Sequence, residues 1–137
     1  MTTVLVSGGT GLVGRYIVNH LLAHGYRVKV GSRTPPSPDL FEAEVEHVPL
    51  TLDPDVDQIS AFDDVYHFVH AAFSHQPGRY RGGEGDDPEG FRTANLDGTI
   101  RLFETARMAG VRRTVFLSSR AVYDGLAAGV PLTEDRA

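Results

Sequence analysis

The apolar positions of this chain follow two patterns: short continuous runs, and longer stretches in which apolar residues recur every three or four positions. The continuous runs predict strands covered on both faces, because such a strand needs apolar side chains along its whole length. Apolar runs predict strands at residues 3–7 and 113–118, Val28 and Val30 on one face predict a strand at 26–31, and further strands are predicted at 46–50 and 65–70. The longer stretches predict helices at residues 12–24, 40–44, 54–62 and 88–109. Strands that alternate with helices predict a parallel sheet with helices on both faces.

Particular residues support the helix predictions. In the first helix, Val13, Ile17 and Leu21 recur every four positions, as one buried stripe requires. Asp53 is the predicted N-cap of the third helix, and Pro54 fits its first turn. At 137 residues the chain is long enough for one domain with a core of its own.

A cluster of glycines separates the first predicted strand from the first predicted helix. Gly9, Gly11 and Gly14 form a G-x-G-x-x-G motif, and Gly8 fits a second register with the last two. Such glycines allow a tight turn, close approach of backbone to a pyrophosphate, and close packing of helix on sheet. The helix N-terminus then favours the anion. The competing interpretation is a glycine-rich turn without a ligand. We predict dinucleotide binding at Gly8, Gly9, Thr10, Gly11, Leu12, Val13 and Gly14.

These elements predict the α/β fold class, as a three-layer Rossmann-type doubly wound parallel sheet with strand order 3-2-1-4-5. The ligand crevice of such a sheet lies at the carboxyl ends of strands one and four, where the order reverses. We therefore expect residues 1–137 to be an NAD(P)-binding Rossmann domain.

Composition and charge exclude several other classes. A net charge of -5 argues against a nucleic-acid partner, and the absence of cysteine excludes disulfides and a thiolate site. No apolar run approaches the ~20 residues of a membrane span, so we expect no membrane partner. The N-terminus is predicted to be a strand and not a signal peptide, so we expect a cytoplasmic location. His67 and His70 face opposite sides of one strand, and no cysteine or well-spaced carboxylate completes a ligand set, so no metal is expected.

Four more segments follow the glycine motif in a fixed order. They are His70-Ala71-Ala72, Asn95-Leu-Asp-Gly-Thr99, Ser118-Ser119-Arg-Ala-Val-Tyr123 and Pro131-Leu-Thr-Glu134. Together with the glycines, these segments resemble the extended short-chain dehydrogenases/reductases. The glycines resemble the cofactor loop of that family, and the first three segments resemble, in order, its H-x-A-A, N-x-x-G-T and S-S-x-x-V-Y segments. The last segment resembles the loop that precedes the family's catalytic tyrosine. That branch contains the NAD(P)-dependent epimerases and dehydratases. The resemblance covers nearly the whole chain.

The resemblance implies an NAD(P)-dependent enzyme that transfers hydride to or from a hydroxyl or carbonyl carbon of a small molecule, with nucleotide sugars as candidate substrates. Ser119 is the implied catalytic residue, since the family places a serine or threonine there to hydrogen-bond the reacting oxygen. The other interpretation of Ser119 is a strand-end serine satisfied by backbone. A non-catalytic NADP(H)-binding module or redox-sensing regulator is the alternative function.

Further cofactor contacts are implied by the same resemblance. Asn95 either joins the last helix to the backbone after strand four or is a plain helix N-cap. The family's Gly-Asp pair beside the adenine is replaced here, which leaves the adenine contacts to backbone or to Asp53. The implied cofactor-binding residues are Asp53, His70, Ala71, Ala72, Asn95, Leu117 and Ser118.

The end of the second predicted strand favours NADP over NAD. A domain that binds NAD usually carries an acidic residue about 20 positions past the glycines. Ser32 and Arg33 stand there instead, and no carboxylate precedes Asp39. A guanidinium can fork onto a 2′-phosphate, and a neighbouring hydroxyl can donate as well. We predict NADP as the cofactor with NAD as the alternative, and a solvated surface arginine is the competing interpretation.

The chain departs from the family at its end. The catalytic Tyr-x-x-x-Lys is expected beyond residue 137, because Lys29 in the second strand is the only lysine and Tyr123 belongs to the V-Y pair. Residues 1–137 alone are then expected to be inactive, with the last strands and the substrate region absent. The apolar edge at residues 115–117 predicts homo-oligomerisation. Arg79-Tyr80-Arg81 opens the long loop after strand four, and we predict a lid over the crevice or a contact for substrate anions there, with a mobile surface loop as the competing interpretation.

Overall fold

One parallel sheet organises the molecule. The structure, a computed structural model, describes residues 1–76, 78 and 83–136, so the lid predicted at Arg79-Tyr80-Arg81 lies outside the described residues. The strands pair in the order β3-β2-β1-β4-β5, and every pair is parallel. The predicted fold class and strand order are confirmed. The strands are β1 Thr3–Ser7, β2 Arg27–Ser32, β3 Glu46–Pro49, β4 His67–His70 and β5 Arg113–Phe116.

Two helical stretches cover the sheet. Helix α1 spans Gly14–Ala23, where a helix from residue 12 was predicted. The stretch predicted as one helix over 88–109 contains α2 at Pro88–Arg92 and α3 at Gly98–Met108. A π-helical turn at Thr93–Asp97 joins α2 to α3 without a break. Such a turn holds an extra residue and therefore rotates the side chains that follow it.

The helix predicted over 54–62 does not form, and only a short 3₁₀ turn at Ile59–Phe62 is present. The side chains of Asp53 and Asp57 each accept the backbone N–H two positions later, at 3.0 and 3.1 Å. These local turns compete with the helical hydrogen-bond pattern. Asp53 is therefore the start of a turn, and its prediction as an N-cap is wrong.

The short helix predicted at residues 40–44 is also absent, and this segment forms bends. Five residues give too few hydrogen bonds to repay helix nucleation without help from packing. The backbone N–H of Glu42 instead donates to Asn19 Oδ1 of α1, at 3.1 Å. That bond fixes the segment against α1 in a non-helical form.

The core has two halves, one on each face of the sheet. Successive β1 residues point to opposite faces, so Val4 and Val6 pack on one side and Leu5 on the other. The half under α1 contains Val4, Val6, Val18, Val28 and Val30. The half under α3 contains Leu5, Leu50, Ala61, Phe62, Val65, Phe68, Leu102 and Ala106. The result is the expected three-layer arrangement.

Strand β5 forms an apolar edge of the sheet. Val115 and Phe116 are 56% and 52% exposed, whereas the central strand β1 is wholly buried. An uncovered strand of this kind can pair with another chain. Homo-oligomerisation of the chain stays a prediction.

Candidate functional site

A cleft of about 1220 Å³ lies at the carboxyl ends of β1, β2 and β4, where the strand order reverses. Ser7 ends β1 and Ser32 ends β2, and both line it together with Ala71 and Ala72 after β4. The volume exceeds the roughly 300–1,000 Å³ of most small-ligand pockets, which suits an extended ligand such as a dinucleotide.

The cleft brings together most of the residues predicted to bind the cofactor. Its lining includes Gly8, Thr10, Gly11, Leu12, Val13, Gly14, Ser32, Arg33, Asp53, Ala71 and Ala72. The remaining predicted residues, Gly9, His70, Asn95, Leu117, Ser118 and Ser119, are not in this lining. The contacts of these six residues explain why.

The glycine loop makes a tight turn between β1 and α1. Gly8 has a φ of 68° and donates its N–H to Gly31 O at 2.9 Å, while its carbonyl accepts from Gly11 N at 3.0 Å. A Cβ at Gly8 would lie 2.7 Å from Ala72 Cα, and a Cβ at Gly14 would collide with the Gly8 carbonyl oxygen. Gly8 and Gly14 are thus the glycines that this turn requires, whereas a Cβ at Gly11 would lie 3.2 Å from Gly8 O. The N-terminus of α1 opens into the cleft beside them, as anion binding needs.

Gly9, which was predicted to bind the cofactor, has a packing role in this structure. It is buried beneath α1, and a Cβ on it would lie 2.9 Å from Val30 Cγ1 and 3.2 Å from Val18 Cγ2. Its missing side chain lets helix and sheet approach each other. The prediction of Gly9 as a cleft residue is corrected to one of packing.

His70 is fully buried at the end of β4 and cannot touch a ligand directly. Its Nδ1 lies 2.6 Å from Ser7 Oγ and its Nε2 lies 2.8 Å from Thr99 Oγ1. Ser7 Oγ accepts the N–H groups of Ala71 and Ala72 at 3.2 and 3.3 Å, so its own proton is left to donate to Nδ1. Nε2 then carries the proton and donates to Thr99. His70 is therefore a neutral support of the cleft, which corrects its prediction as a cofactor contact.

Burial sets the charge state of this imidazole. Loss of hydration lowers the pKa of His70 from 6.5 to about 4. The aromatic rings of Phe68, Phe103 and Phe116 lie within 5.6 to 5.7 Å of its ring. The neutral ring thus ties β1, β4 and α3 together directly below the glycine loop.

Asn95 joins the π-helical turn to the segment that follows β4. Its Oδ1 accepts Ser74 N–H at 2.7 Å, and its Nδ2 donates to the carbonyls of Ser74 and Phe91 at 2.9 and 3.1 Å. Ser74 lines the cleft and Asn95 does not. Of the two interpretations, the link to the backbone after β4 describes Asn95, and the N-cap does not. Asn95 supports the cleft wall from behind.

Sequence reasoning missed Gln58, which clamps the loop after β3. Gln58 Oε1 accepts Thr51 N–H at 2.7 Å, and Gln58 Nε2 donates to Thr51 O at 3.0 Å. The side chain is only 7% exposed, and Thr51 lines the cleft next to Leu52 and Asp53. No sequence motif marks Gln58, because its pairing with Thr51, seven positions earlier, depends on how the loop folds back.

Ser32 and Arg33, the two residues predicted to contact the adenosine ribose of the cofactor, line the cleft. Arg33 is exposed there, and no ion pair among the described residues includes it. Ser32 Oγ donates to Thr34 O at 2.7 Å, so its proton is already used. Of this predicted pair, only Arg33 has donors to offer to a ligand in this conformation.

Ser119 lies past the end of β5, outside the cleft lining where it was expected. Leu117 N–H donates to His70 O at 3.1 Å, which extends the pairing of β5 with β4, and Ser118 and Ser119 then turn outward and are exposed. Ser119 Oγ accepts Ala121 N–H at 3.1 Å, as the cap of a 3₁₀ turn. The hydroxyl still has a proton to donate.

In residues 1–76, 78 and 83–136, no three His, Asp or Glu side chains are grouped so that they could hold a metal ion. None of the helices in this part of the chain is long and apolar enough to cross a membrane.

The doubly wound sheet, the glycine turn at its switch point and the long cleft define a Rossmann-type fold of the short-chain dehydrogenase/reductase kind. The family model described as "NAD dependent epimerase/dehydratase family" matches residues 4–137, and the chain belongs to that family. The resemblance given by the sequence motifs is thereby confirmed.

Similar proteins span several activities. The chain is 35% identical to a UDP-glucose 4-epimerase of Streptomyces lividans, over 95% of the chain and 39% of that protein. It is 32% identical to a putative dihydroflavonol 4-reductase of Synechocystis, over 85% of the chain and 32% of that protein. A short-chain dehydrogenase/reductase superfamily protein from Agrobacterium tumefaciens, solved with bound NAD, superposes with a TM-score of 0.78 at 29% identity, over 98% of the chain and 38% of that structure. The chain thus spans about two fifths or less of the length of these relatives.

Proposed function

We propose that this chain is the cofactor-binding half of an NAD(P)-dependent epimerase, dehydratase or oxidoreductase that acts on a nucleotide sugar. The observation that carries the proposal is the glycine turn at the reversal of strand order. Gly8 adopts its left-handed conformation there, and Gly14 packs against the carbonyl of Gly8 at the mouth of the cleft. The similarity to a UDP-glucose 4-epimerase supports the substrate class.

Three regions of the cleft are assigned to three parts of the proposed cofactor. The N-terminus of α1 receives the pyrophosphate, because its N–H groups and dipole favour negative charge. Arg33 and the loop at 51–54 receive the adenosine, and the segment that follows β4, the strand next to β5, receives the nicotinamide. When bound, the nicotinamide supplies reversible hydride transfer. The Ser119 hydroxyl donates a hydrogen bond to the oxygen on the reacting carbon and so stabilises its developing charge.

The test uses the product of the full gene, assayed with UDP-glucose, UDP-galactose and a panel of other nucleotide sugars, and titrated with NAD and NADP in both redox states. Dinucleotide binding together with turnover of a nucleotide sugar is expected. Binding without turnover on any substrate would favour the alternative of a non-catalytic NADP(H)-binding regulator. Failure to bind any dinucleotide would overturn both functions.

Replacing Ser119 by alanine is expected to lower kcat on the true substrate by about 10²-fold, the scale of losing acid–base support. Cofactor Kd should hardly change, because Ser119 lies outside the cleft lining. Steady-state kinetics of the full-length protein would measure both. Ser37→Ala, a change at an exposed loop serine, is the matched control and should leave kcat unaltered. An unchanged kcat in Ser119→Ala would remove Ser119 from the mechanism.

Replacing Arg33 by alanine is expected to weaken NADP binding by about 10-fold or more, since hydrogen bonds to a charged group contribute about 1.5–3 kcal/mol each. NAD binding should stay nearly constant, because NAD lacks the 2′-phosphate that the guanidinium would fork onto. Calorimetric titration with both cofactors measures the two effects. Arg107→Ala, at an exposed position of α3, serves as the control. Wild-type protein that binds NAD as tightly as NADP, or tighter, would contradict the predicted preference.

A further inference from the structure

An exposed aromatic side chain lines the cleft on the side of β4. Phe73 is the third residue past that strand, and it is 50% exposed. The H-x-A-A pattern that starts at His70 has alanine at its last position, where this chain has Phe73. An apolar ring in a ligand cleft stays in contact with water until a ligand covers it, and covering it is favourable. Phe73 is therefore a candidate for a direct ligand contact.

The backbone is fixed on both sides of Phe73. Before it, Ser7 Oγ accepts the N–H of Ala72 at 3.3 Å. After it, the Asn95 amide accepts the N–H of Ser74 at 2.7 Å and donates to the Ser74 carbonyl at 2.9 Å. Because the residues before and after it are held, Phe73 has little freedom to leave the cleft.

Two further rings hold the Phe73 side chain. The Phe91 ring lies edge-on at 5.6 Å between centroids, and the His75 ring lies at 4.8 Å in a tilted arrangement. Asn95 also donates to Phe91 O at 3.1 Å, so one amide ties Phe91 to the segment that carries Phe73. Edge-to-face contacts of this kind stabilise a defined ring orientation. The ring is thus pre-organised, and a ligand that covers it loses little affinity to ordering the protein.

The strand order indicates which part of a dinucleotide reaches this ring. Strands β2 and β4 lie on opposite sides of β1. In the proposed function, the glycine turn after β1 receives the pyrophosphate, and Arg33 after β2 takes the adenosine side. The nicotinamide then extends in the other direction, toward the end of β4 and Phe73. The inference therefore rests on the proposed dinucleotide function.

The charge of the nicotinamide differs between its two redox states, because the oxidised ring is a cation and the reduced ring is neutral. The face of an aromatic ring attracts a cation that lies within about 6 Å of its centroid. Asp87 and Glu89, at the start of the helix that carries Phe91, line the cleft as well, whereas Arg33 lies on the adenosine side. Negative charges near Phe73 add to the attraction for a cation.

We propose that Phe73 is a binding residue for the nicotinamide, and that its ring favours the oxidised, cationic form of the cofactor over the reduced, neutral form. This preference deepens the proposed function, since it concerns the redox state in which the cofactor is held. It suits a reaction that begins with removal of hydride from a hydroxyl carbon, because that step needs the oxidised cofactor.

The test measures the Kd of the oxidised and reduced forms of NAD and of NADP by isothermal titration calorimetry on the full-length protein. Phe73→Leu keeps an apolar side chain and removes the aromatic face. Its ratio of reduced-form Kd to oxidised-form Kd should fall about 3-fold or more below the wild-type ratio. Phe73→Tyr keeps the ring and should keep the ratio. ADP-ribose, which lacks the nicotinamide, should bind wild type and Phe73→Leu equally.

Phe41→Leu is the matched control, because Phe41 is a partly buried residue outside the cleft lining and carries the same substitution. Its Kd ratio should equal that of the wild type. A thermal melt identifies a variant that does not fold, and Phe73→Ala removes the ring a second time if Phe73→Leu fails to fold.

Three outcomes would overturn the role of Phe73 while dinucleotide binding stands. The first is an equal loss of affinity for both redox forms, which would leave Phe73 as an apolar wall. The second is an equal loss for ADP-ribose, which would place the effect outside the nicotinamide. The third is an unchanged ratio with a raised KM for the nucleotide sugar, which would assign the ring to the substrate. Absence of binding to every dinucleotide and to ADP-ribose overturns the proposed function itself.

Discussion

Replacing Gly14 by alanine is expected to weaken dinucleotide binding by at least about 10²-fold and to lower the free energy of unfolding by about 3 kcal/mol, the upper end of overpacking costs. A Cβ at this position would collide with the carbonyl oxygen of Gly8, which is backbone and cannot rotate away as a side chain can. Either α1 moves off the sheet or the turn at Gly8 opens. Both movements misplace the N–H groups that receive the pyrophosphate. Fluorescence titration with NADH or NADPH and urea denaturation measure the two effects.

Gly25→Ala is the control for this experiment. Gly25 also has a left-handed backbone, with a φ of 79°, but a Cβ there would meet no atom within 4 Å. Backbone strain should lower the free energy of unfolding of Gly25→Ala by only about 1 kcal/mol, and the cofactor Kd of this variant should match that of the wild type. Wild-type affinity in Gly14→Ala would show that the glycine turn does not form the dinucleotide site.

Acidification from pH 6.5 to pH 4 is expected to remove up to about 3 kcal/mol of stability through His70 alone. The pKa of His70 is about 4 in the folded protein, below its ordinary 6.5, because burial excludes water from the imidazole. Between these two values the unfolded chain binds the proton and the folded chain does not, so stability falls as the pH falls through this window. Below pH 4 both states are protonated and the loss from this group is complete.

The measurement is urea denaturation at several pH values between 4 and 7, for wild type and for His70→Gln. The variant loses the titrating group, and subtracting its curve removes the contribution of carboxylates that titrate in the same range. His70→Gln should be less stable at pH 7, because Ser7 and Thr99 then lack one well-aligned partner. Parallel curves for the two proteins would show that His70 is not held neutral by burial.

Much of the fold could be predicted because its signals are local. All five predicted strands are present, with an apolar run in β1 and the alternation of Val28 and Val30 in β2 as examples of the signal, and the glycine spacing identified the turn from β1 to α1. The errors arose where side chains compete with the backbone. Asp53 and Asp57 are good helix-starting residues in isolation, but here each one bonds the N–H two positions on and forms a turn. The sequence alone does not reveal which of these two local patterns is formed.

In the candidate site too, some residues could be predicted from the sequence and others could not. Gly8, Gly14 and Arg33 could be identified because each belongs to a motif or lies at a fixed distance from one. Ser7 could not be identified, because its importance lies in a tertiary contact. Ser7 meets His70 across 63 positions of sequence, and only the pairing of β1 with β4 brings them together. A cleft's lining residues are thus easier to predict than the residues that hold the lining in place.

The π-helical turn at Thr93–Asp97 has a consequence for aligning and redesigning this protein. A regular helix advances about 100° per residue, so one extra residue shifts the phase of everything after it by that angle. Asn95 reaches Ser74 from within the turn, and Thr99 reaches His70 from just beyond it. Deleting one residue here would make the helix more regular and turn Thr99 away from the imidazole. An alignment gap at this turn is therefore a change of register between helix and sheet, and a consensus design that smooths it would lose the tie between α3 and β4.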